Sequence, residues 1–221
     1  MSARPDGRRS LTDGYRSCGP LAAAHLSLLP SVLPGVRRVH LFDQVAQRAN
    51  DLAEAMATAG DLEAVVTPSA QECVRDAGIV IPVTTTTTGY LPMSWLKPGT
   101  LVVHVSLDDL LPEVVREADV VIVDDWNLVR DDERRLLGRM YRAGALRGPD
   151  GGYAAGVAQD PASARVHGTL GQVMLGELPG RSGADEIVVC NPFGMAILDV
   201  AVAHRVVRAA TRLGLGQPLS L

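Results

Sequence analysis

The amino-acid sequence predicts an α/β protein in which one parallel sheet is covered by helices on both faces. Short apolar runs alternate with segments of helical spacing along most of the chain, and this alternation is typical of parallel strands joined by crossover helices. The 221 residues are 47% hydrophobic and 21% charged, so the chain can bury a substantial core. Its length favours one large domain, or one domain with an appendage, over two complete domains.

The predicted strands are short, mostly apolar runs bounded by polar or small residues. They comprise residues 38–42, 63–67, 79–83, 101–105, 120–124 and 187–190. The predicted helices comprise residues 20–29, 45–59, 69–76, 112–117 and 131–142, with a long final helix at 193–213. Residues 143–168 are rich in Gly, Ala, Pro and Asp and show no regular period, which predicts an exposed loop or a partly mobile insertion.

Composition and charge exclude several classes of protein. The formal net charge of −4 and the scattered arginine pairs form no basic stripe, so nucleic acid is not an expected partner. No apolar run approaches the roughly 20 residues that span a bilayer, and residues 1–10 lack a signal-peptide pattern, so we expect a cytoplasmic protein without a membrane partner. Cys18, Cys73 and Cys190 are widely spaced, and the histidines lack ligand spacing, which predicts reduced thiols and no metal site.

The most informative local pattern begins at Ser17 and reads S-x-G-x-x-A, a variant of the dinucleotide fingerprint G-x-G-x-x-G/A. Gly19 would let the backbone approach a pyrophosphate, and Pro20 suits the first turn of the following helix. Asp43 ends the next predicted strand, at the distance where an acid binds the adenosine ribose. The pattern therefore favours a Rossmann-like, doubly wound sheet and NAD, because the same carboxylate would repel the 2′-phosphate of NADP. The other interpretation is an ordinary glycine turn before a helix.

The strand that should precede this fingerprint is poorly marked. A central strand of a doubly wound sheet is covered on both faces and should be nearly all apolar, yet residues 11–16 include Asp13 and Arg16. Either this strand is short and distorted, or its natural amino-terminal context is missing.

Five ordered motifs together resemble the ornithine cyclodeaminase and mu-crystallin family. They are CGP (18–20), WLKPGTLVVHVSLDDL (95–110), ADVVIVDD (118–125), LGQVMLGELPGR (170–181) and NPFGMAILDVAVAHRVV (191–207). The CGP, SLDDL and NPFG segments look most like the branch that releases 2,3-diaminopropionate from an amino-acid conjugate with glutamate, in siderophore or antibiotic biosynthesis. The resemblance covers roughly residues 17–221.

The resemblance implies an NAD site built from several segments. Residues of the helix tip would meet the pyrophosphate, Asp43 the ribose, the threonines the nicotinamide side, and the segment after residue 104 would form the floor beneath the reacting carbon. The residues implied are Ser17, Cys18, Gly19, Pro20, Leu21, Asp43, Thr84, Thr85, Thr86, Val105, Ser106, Leu107, Asn191, Phe193 and Gly194. The family's catalytic aspartate falls at Asp109, with Asp108 as the alternative; without the resemblance, both read as an amino-terminal cap for the helix that begins at Pro112.

The resemblance also implies a division of the chain. Residues 1–16 form a polar segment, residues 17–192 the NAD-binding domain with its loop at 143–168, and residues 193–221 a helix that packs toward a substrate domain. Family members carry that substrate domain before the cofactor domain, so we expect it to be missing here, with a homodimer or a partner chain supplying the contact. Lys97 lies in the WLKPG turn and is expected to face solvent.

Two classes of function follow. The first is an NAD-dependent oxidoreductase acting on the CH–NH bond of a small amino-acid derivative, with ornithine cyclodeaminase or ketimine reductase as sister activities. The second is a noncatalytic nucleotide-binding remnant or subunit that needs a partner chain.

Overall fold

The structure, a computed structural model, describes residues 9–14, 18–59, 62–192 and 194–217. Its main feature is an eight-stranded sheet with the order β3-β2-β1-β4-β5-β10-β6-β9, in which all neighbouring strands are parallel. The strands are β1 Arg9–Gly14, β2 Val36–Phe42, β3 Glu63–Val66, β4 Ile79–Val80, β5 Leu101–Val103, β6 Val120–Val123, β9 Gly168–Thr169 and β10 Val188–Asn191. The predicted doubly wound α/β fold is confirmed.

Helices cover both faces of this sheet. They are α1 Pro20–Val32, α2 Ala46–Ala59, α3 Ala70–Val74, α4 Pro112–Glu117, α5 Trp126–Asp131, α6 Leu136–Arg142, α7 Leu170–Leu175 and α8 Ala196–Leu213, with a 3-10 turn at Met93–Trp95. Two apolar clusters form the core, one under α1 and α2 around Val39 and Leu41, the other under α4, α5 and α6 around Val102 and Val121. None of the helices in the described ranges is long and apolar enough to cross a membrane.

The winding direction of the sheet reverses between β1 and β4. From β1 the chain proceeds to β2 and β3 on one side, and from β4 to β5 on the other. In sheets of this kind the reversal opens a crevice at the carboxyl ends of the strands. The poorly marked first strand is β1, two residues earlier than the sequence suggested, and it pairs with both β2 and β4; Ser17 and its neighbours Tyr15 and Arg16 lie outside the described residues.

Several predicted boundaries were wrong. The strand expected at 79–83 ends at Val80, and Pro82, which has no N–H to donate to a neighbouring strand, follows it. The strand expected at 101–105 ends at Val103 because the Val105 amide turns back to the Val103 carbonyl at 3.0 Å. The final helix begins at Ala196 rather than at 193, since Gly194 has a φ of +87°, which is not helical.

The helix expected at 131–142 is two helices, α5 and α6. Asp132 separates them by accepting hydrogen bonds from the backbone and side chain of Arg134. Residues 143–168, expected as an exposed loop, are instead fixed at both ends: the short parallel strands β7 Leu146–Arg147 and β8 Ala164–Arg165 pair there, and Leu146 and Val166 are fully buried.

Candidate functional site

Most of the predicted site residues lie at the carboxyl edge of the sheet. Asp43 directly follows β2, Thr84 lies four residues beyond β4, Ser106 to Asp109 follow β5, and Asn191 ends β10. Parallel strands bring their carboxyl ends to one edge, so segments far apart in sequence meet here. The structure thus brings together the helix tip, the threonine segment and the aspartate segment that the sequence predicted.

Asp43 is joined to the segment that leads into α1. Its carboxylate accepts hydrogen bonds from the Cys18 amide at 2.5 Å and from the Val45 amide at 2.8 Å, and the residue is 3% exposed. A carboxylate offers about four lone pairs, so two remain for further donors. The acid and the helix tip are therefore adjacent, as the fingerprint predicted.

The first turn of α1 is open to a ligand. Gly19 caps it with extended backbone and no side-chain hydrogen bond, Pro20 occupies the first turn, and Leu21 is 52% exposed. Backbone amides and the helix dipole at such an end favour a negatively charged group. An open helix tip beside a buried acid fits a dinucleotide, whose pyrophosphate and ribose need these two features.

A cavity of about 240 Å³ lies beside Asp43 and extends to the threonine segment. It is lined by Phe42, Gln44, Ala70, Thr88, Gly89 and Tyr90. Of the predicted threonines, Thr84 and Thr86 are buried and their hydroxyls bind within the protein, whereas Thr85 is exposed. Thr88 lines this cavity, whereas the predicted Thr84, Thr85 and Thr86 are not among its lining residues.

Asp109 is the most enclosed acid of the site. It is fully buried, and its carboxylate accepts hydrogen bonds from the hydroxyls of Thr84, at 2.7 Å, and of Ser106. Burial raises the pKa of Asp109 above its ordinary value, although hydrogen bonds from Ser106, Thr84 and Tyr90 oppose that rise. This combination keeps a proton on the carboxyl to higher pH than in water.

Asp108 has a different environment from its neighbour. Its carboxylate lies 2.5 Å from the guanidinium of Arg139, a residue of α6. Along this segment, Val105 and Leu107 are partly exposed while Ser106 is buried. The role of Val105 and Leu107 as the floor of the site stays a prediction.

A second buried pair, His104 and Asn191, lies behind Asp109. The Asn191 amide donates to the His104 carbonyl at 2.7 Å, and the ring Nε2 lies 3.3 Å from the Asp109 amide nitrogen. Burial, with the nearby positive charge of Arg135, lowers the pKa of His104 to about 3. The side-chain contacts of Asn191 are with β5, and its role beside the nicotinamide stays a prediction.

Sequence reasoning missed Asp124, which follows β6. One carboxylate oxygen accepts from the Asp125 amide at 2.8 Å, and the other from the Gly194 amide at 2.6 Å. Asp124 thus holds Gly194 of the NPFG segment at the sheet edge. Its position at the end of a predicted strand was the signal in the sequence that could have identified it.

Phe193 lies outside the described residues. Lys97 is exposed and donates to the Asp76 carbonyl, which confirms its expected exposure to solvent.

These features define an α/β protein with a dinucleotide-type crevice at the switch point of its sheet. The chain belongs to the ornithine cyclodeaminase/mu-crystallin family, whose sequence profile matches residues 15–212.

Curated relatives extend this result. Over 205 residues the chain is 27% identical to N-((2S)-2-amino-2-carboxyethyl)-L-glutamate dehydrogenase of Staphylococcus aureus, covering 92% of this chain and 56% of the relative. Over 209 residues it is 31% identical to Delta(1)-pyrroline-2-carboxylate reductase of Paracoccus denitrificans, covering 94% and 61%. The chain thus spans a little over half the length of these relatives.

Solved structures agree on the fold. The crystal structure of CmnK has a TM-score of 0.80 and 35% identity, with 98% of this chain and 59% of that chain covered. An archaeal alanine dehydrogenase dimer with bound NAD has a TM-score of 0.75 at 23% identity, with 98% and 62% covered.

The lowered pKa of His104 predicts that acid destabilises the fold. The folded state keeps His104 neutral down to about pH 3, whereas the unfolded chain binds the proton below about pH 6.5. The contribution of neutral His104 to the free energy of unfolding is therefore complete above pH 6.5 and is lost as the pH falls toward 3. It amounts to about 2 kcal/mol between pH 7 and pH 5.

Urea unfolding of the wild type and His104→Gln at both pH values measures this contribution. We expect the pH dependence to be smaller in the variant by about this amount. His40 and His167, whose pKa values are also lowered, remain in both proteins and cancel in the difference. Equal pH dependence in the two proteins would contradict the assignment.

Proposed function

We propose that this chain is the cofactor-binding part of an NAD-dependent oxidoreductase that acts on a CH–NH bond of an amino-acid derivative. The observation that carries the proposal is the hydrogen bond from the Cys18 amide to Asp43, which places an acid beside an open helix tip. The NAD bound in the archaeal alanine dehydrogenase structure supports the same cofactor. NAD is favoured over NADP because the Asp43 carboxylate would repel a 2′-phosphate.

The substrate reaction needs little covalent chemistry from the protein. NAD, when bound, takes a hydride from a carbon attached to nitrogen, and water then opens the resulting imine. The chain's own residues hold the cofactor at the α1 tip and Asp43, exclude water along Val105 and Leu107, and handle the proton.

We propose that Asp109 accepts and donates the proton that the reaction transfers. Its raised pKa suits a residue that must both hold and release a proton near neutral pH. Although fully buried, it is hydrogen-bonded to Ser106, which lies in the chain between the partly exposed Val105 and Leu107. We propose that the Ser106 hydroxyl relays the proton between this acid and a ligand in the crevice. Asp108, neutralised by Arg139, is better suited to holding α6 in place.

The finer assignment of the substrate rests on the relatives. The Staphylococcus aureus relative favours an amino-acid conjugate with glutamate, opened to 2,3-diaminopropionate and 2-oxoglutarate. The Paracoccus denitrificans relative favours the reverse sense, reduction of a cyclic imine. A third possibility is the ornithine cyclodeaminase reaction. Product analysis after incubation with each substrate separates them.

A noncatalytic nucleotide-binding subunit is the second candidate. The exposed first turn of α1 and the buried Asp43 would serve it equally well, because nucleotide binding needs no catalytic acid. Micromolar binding of NAD without turnover of any of these substrates is the result that would favour this candidate.

Substitution of Asp43 should weaken NAD binding at least 30-fold, because a charge-assisted hydrogen bond contributes about 2 kcal/mol. Calorimetric titration of NAD into the wild type, Asp43→Ala and Asp51→Ala checks this. Asp51 lies on the exposed side of α2, where it accepts a hydrogen bond from Gln47, so its variant should bind like the wild type. No heat from the wild type at millimolar NAD would refute the cofactor site.

Replacement of the buried acid should stop the reaction without loss of NAD. We expect Asp109→Asn to lower kcat at least 100-fold, the lower range for a general acid–base group, with an unchanged Kd for NAD. Asp108→Asn, made one position away, should retain kcat within about tenfold. Stopped-flow absorbance at the NADH band measures both, and the reverse ranking of the two variants would assign the proton to Asp108.

Helix α8 has exposed apolar side chains, which indicate a contact with another chain. None of its residues is buried, and Ile197, Val200, Val202, Val206 and Val207 are each at least 60% exposed. The archaeal alanine dehydrogenase structure is a dimer. We propose that α8 packs against a second copy of the chain.

Sedimentation equilibrium tests this assembly. The wild type should be dimeric at micromolar concentration, and Val202→Glu with Val206→Glu should make it monomeric. Arg212→Glu, beside Arg208 on the charged side of α8, should leave the dimer intact. A monomeric wild type would contradict pairing through α8.

A further inference from the structure

The buried pair of His104 and Asn191 is not used by the proposed chemistry, although it lies directly behind the acid. The two residues are each 1% exposed and lie at the carboxyl ends of the adjacent strands β5 and β10. The His104 amide donates to the Cys190 carbonyl at 2.8 Å, and the Asn191 amide donates back to the His104 carbonyl at 2.7 Å. Backbone and side chain together fix the position of the imidazole.

The imidazole spans the distance from Asn191 to Asp109. Its Nδ1 lies 3.3 Å from the Asn191 Nδ2, and its Nε2 lies 3.3 Å from the Asp109 backbone nitrogen and 3.8 Å from the Asp109 carboxylate. A neutral imidazole has one donor and one acceptor nitrogen. Both neighbours present N–H groups, so the ring accepts from one of them only. Acceptance from the Asp109 amide at Nε2 places the ring proton on Nδ1, and Asn191 holds the residue through its bond to the His104 carbonyl.

The surroundings keep this ring neutral. The positive charge of Arg135 faces it, and Asp109 is the acid in contact with it. Burial and the charge of Arg135 both lower the pKa of the ring, so it acts through hydrogen bonds and shape rather than through charge.

We propose that His104, held in place by Asn191, is a positioning residue that orients Asp109 toward Ser106 and Thr84. The inference rests on the proposed role of Asp109. The Asp109 carbonyl accepts from the Tyr90 and Leu91 amides, both at 2.9 Å, and its carboxyl is held by the two hydroxyls. The imidazole adds an anchor at the Asp109 amide, so all three polar parts of this residue are fixed.

Two variants of similar size separate positioning from packing. In His104→Gln the longer side chain places an amide where Nε2 faces Asp109, whereas in His104→Asn the shorter one reaches Asn191 but not Asp109. We expect kcat to fall at least tenfold in His104→Asn and to return to within about threefold of the wild type in His104→Gln. The Kd for NAD should be the same in all three proteins. Equal kcat in the two variants would overturn the inference.

Amide hydrogen exchange by NMR gives a second readout that does not need turnover. In His104→Asn the Asp109 amide should exchange at least tenfold faster, while the neighbouring Tyr90 and Leu91 amides keep their protection. In His104→Gln the Asp109 amide should stay protected. Unchanged Asp109 exchange in His104→Asn, or equal acceleration of all three amides, would also overturn the inference.

The two proposals fail in different ways. A wild type that neither binds NAD nor turns over substrate refutes the proposed function, and the exchange measurement still decides whether His104 holds Asp109. If His104→Asn does not fold, Asn191→Ala removes the hydrogen bond that Asn191 donates to the His104 carbonyl. It should accelerate Asp109 exchange in the same selective way, and unaltered exchange would overturn the inference.

Discussion

The hydrogen bond between the Cys18 amide and the Asp43 carboxylate is the contact on which the site depends. It joins segments 25 residues apart and fixes the tip of α1 against the end of β2. A buried carboxylate is costly unless donors satisfy it, and here the Cys18 and Val45 amides do so. The same arrangement leaves the first turn of α1 without a side-chain cap and partly exposed. A ligand can therefore approach the helix tip beside the acid.

Buried polar residues are also satisfied by hydrogen bonds at the other end of the crevice. Asp109, Asp124 and Asn191 each lie where a parallel strand ends, and each is buried and hydrogen-bonded. Each has at least one partner from a neighbouring strand end, namely Thr84 for Asp109, Gly194 for Asp124 and His104 for Asn191. Polar groups at this edge therefore fix one another.

The parts of this arrangement that depend on local sequence could be predicted. Gly19 before Pro20 indicated a helix start, and Asp43 at the end of an apolar run indicated an acid at the edge of the sheet, because turn chemistry and strand patterning act over few residues. The contact from Asp124 to Gly194 crosses 70 residues and depends on β10 pairing beside β6, which no local pattern reveals. The break between α5 and α6 was missed for a related reason: Asp132 ends one helix through its contacts with Arg134, within a stretch whose spacing is helical throughout.

The central claim is that the α1 tip and Asp43 together hold an adenine dinucleotide. Hydrogen-exchange mass spectrometry of the wild type, with and without saturating NAD, tests it most directly. Slower exchange at both residues 18–24 and residues 43–48, with no change at β7 and β8, is the result the account predicts. Slower exchange at neither segment, or at one of them alone, would contradict it.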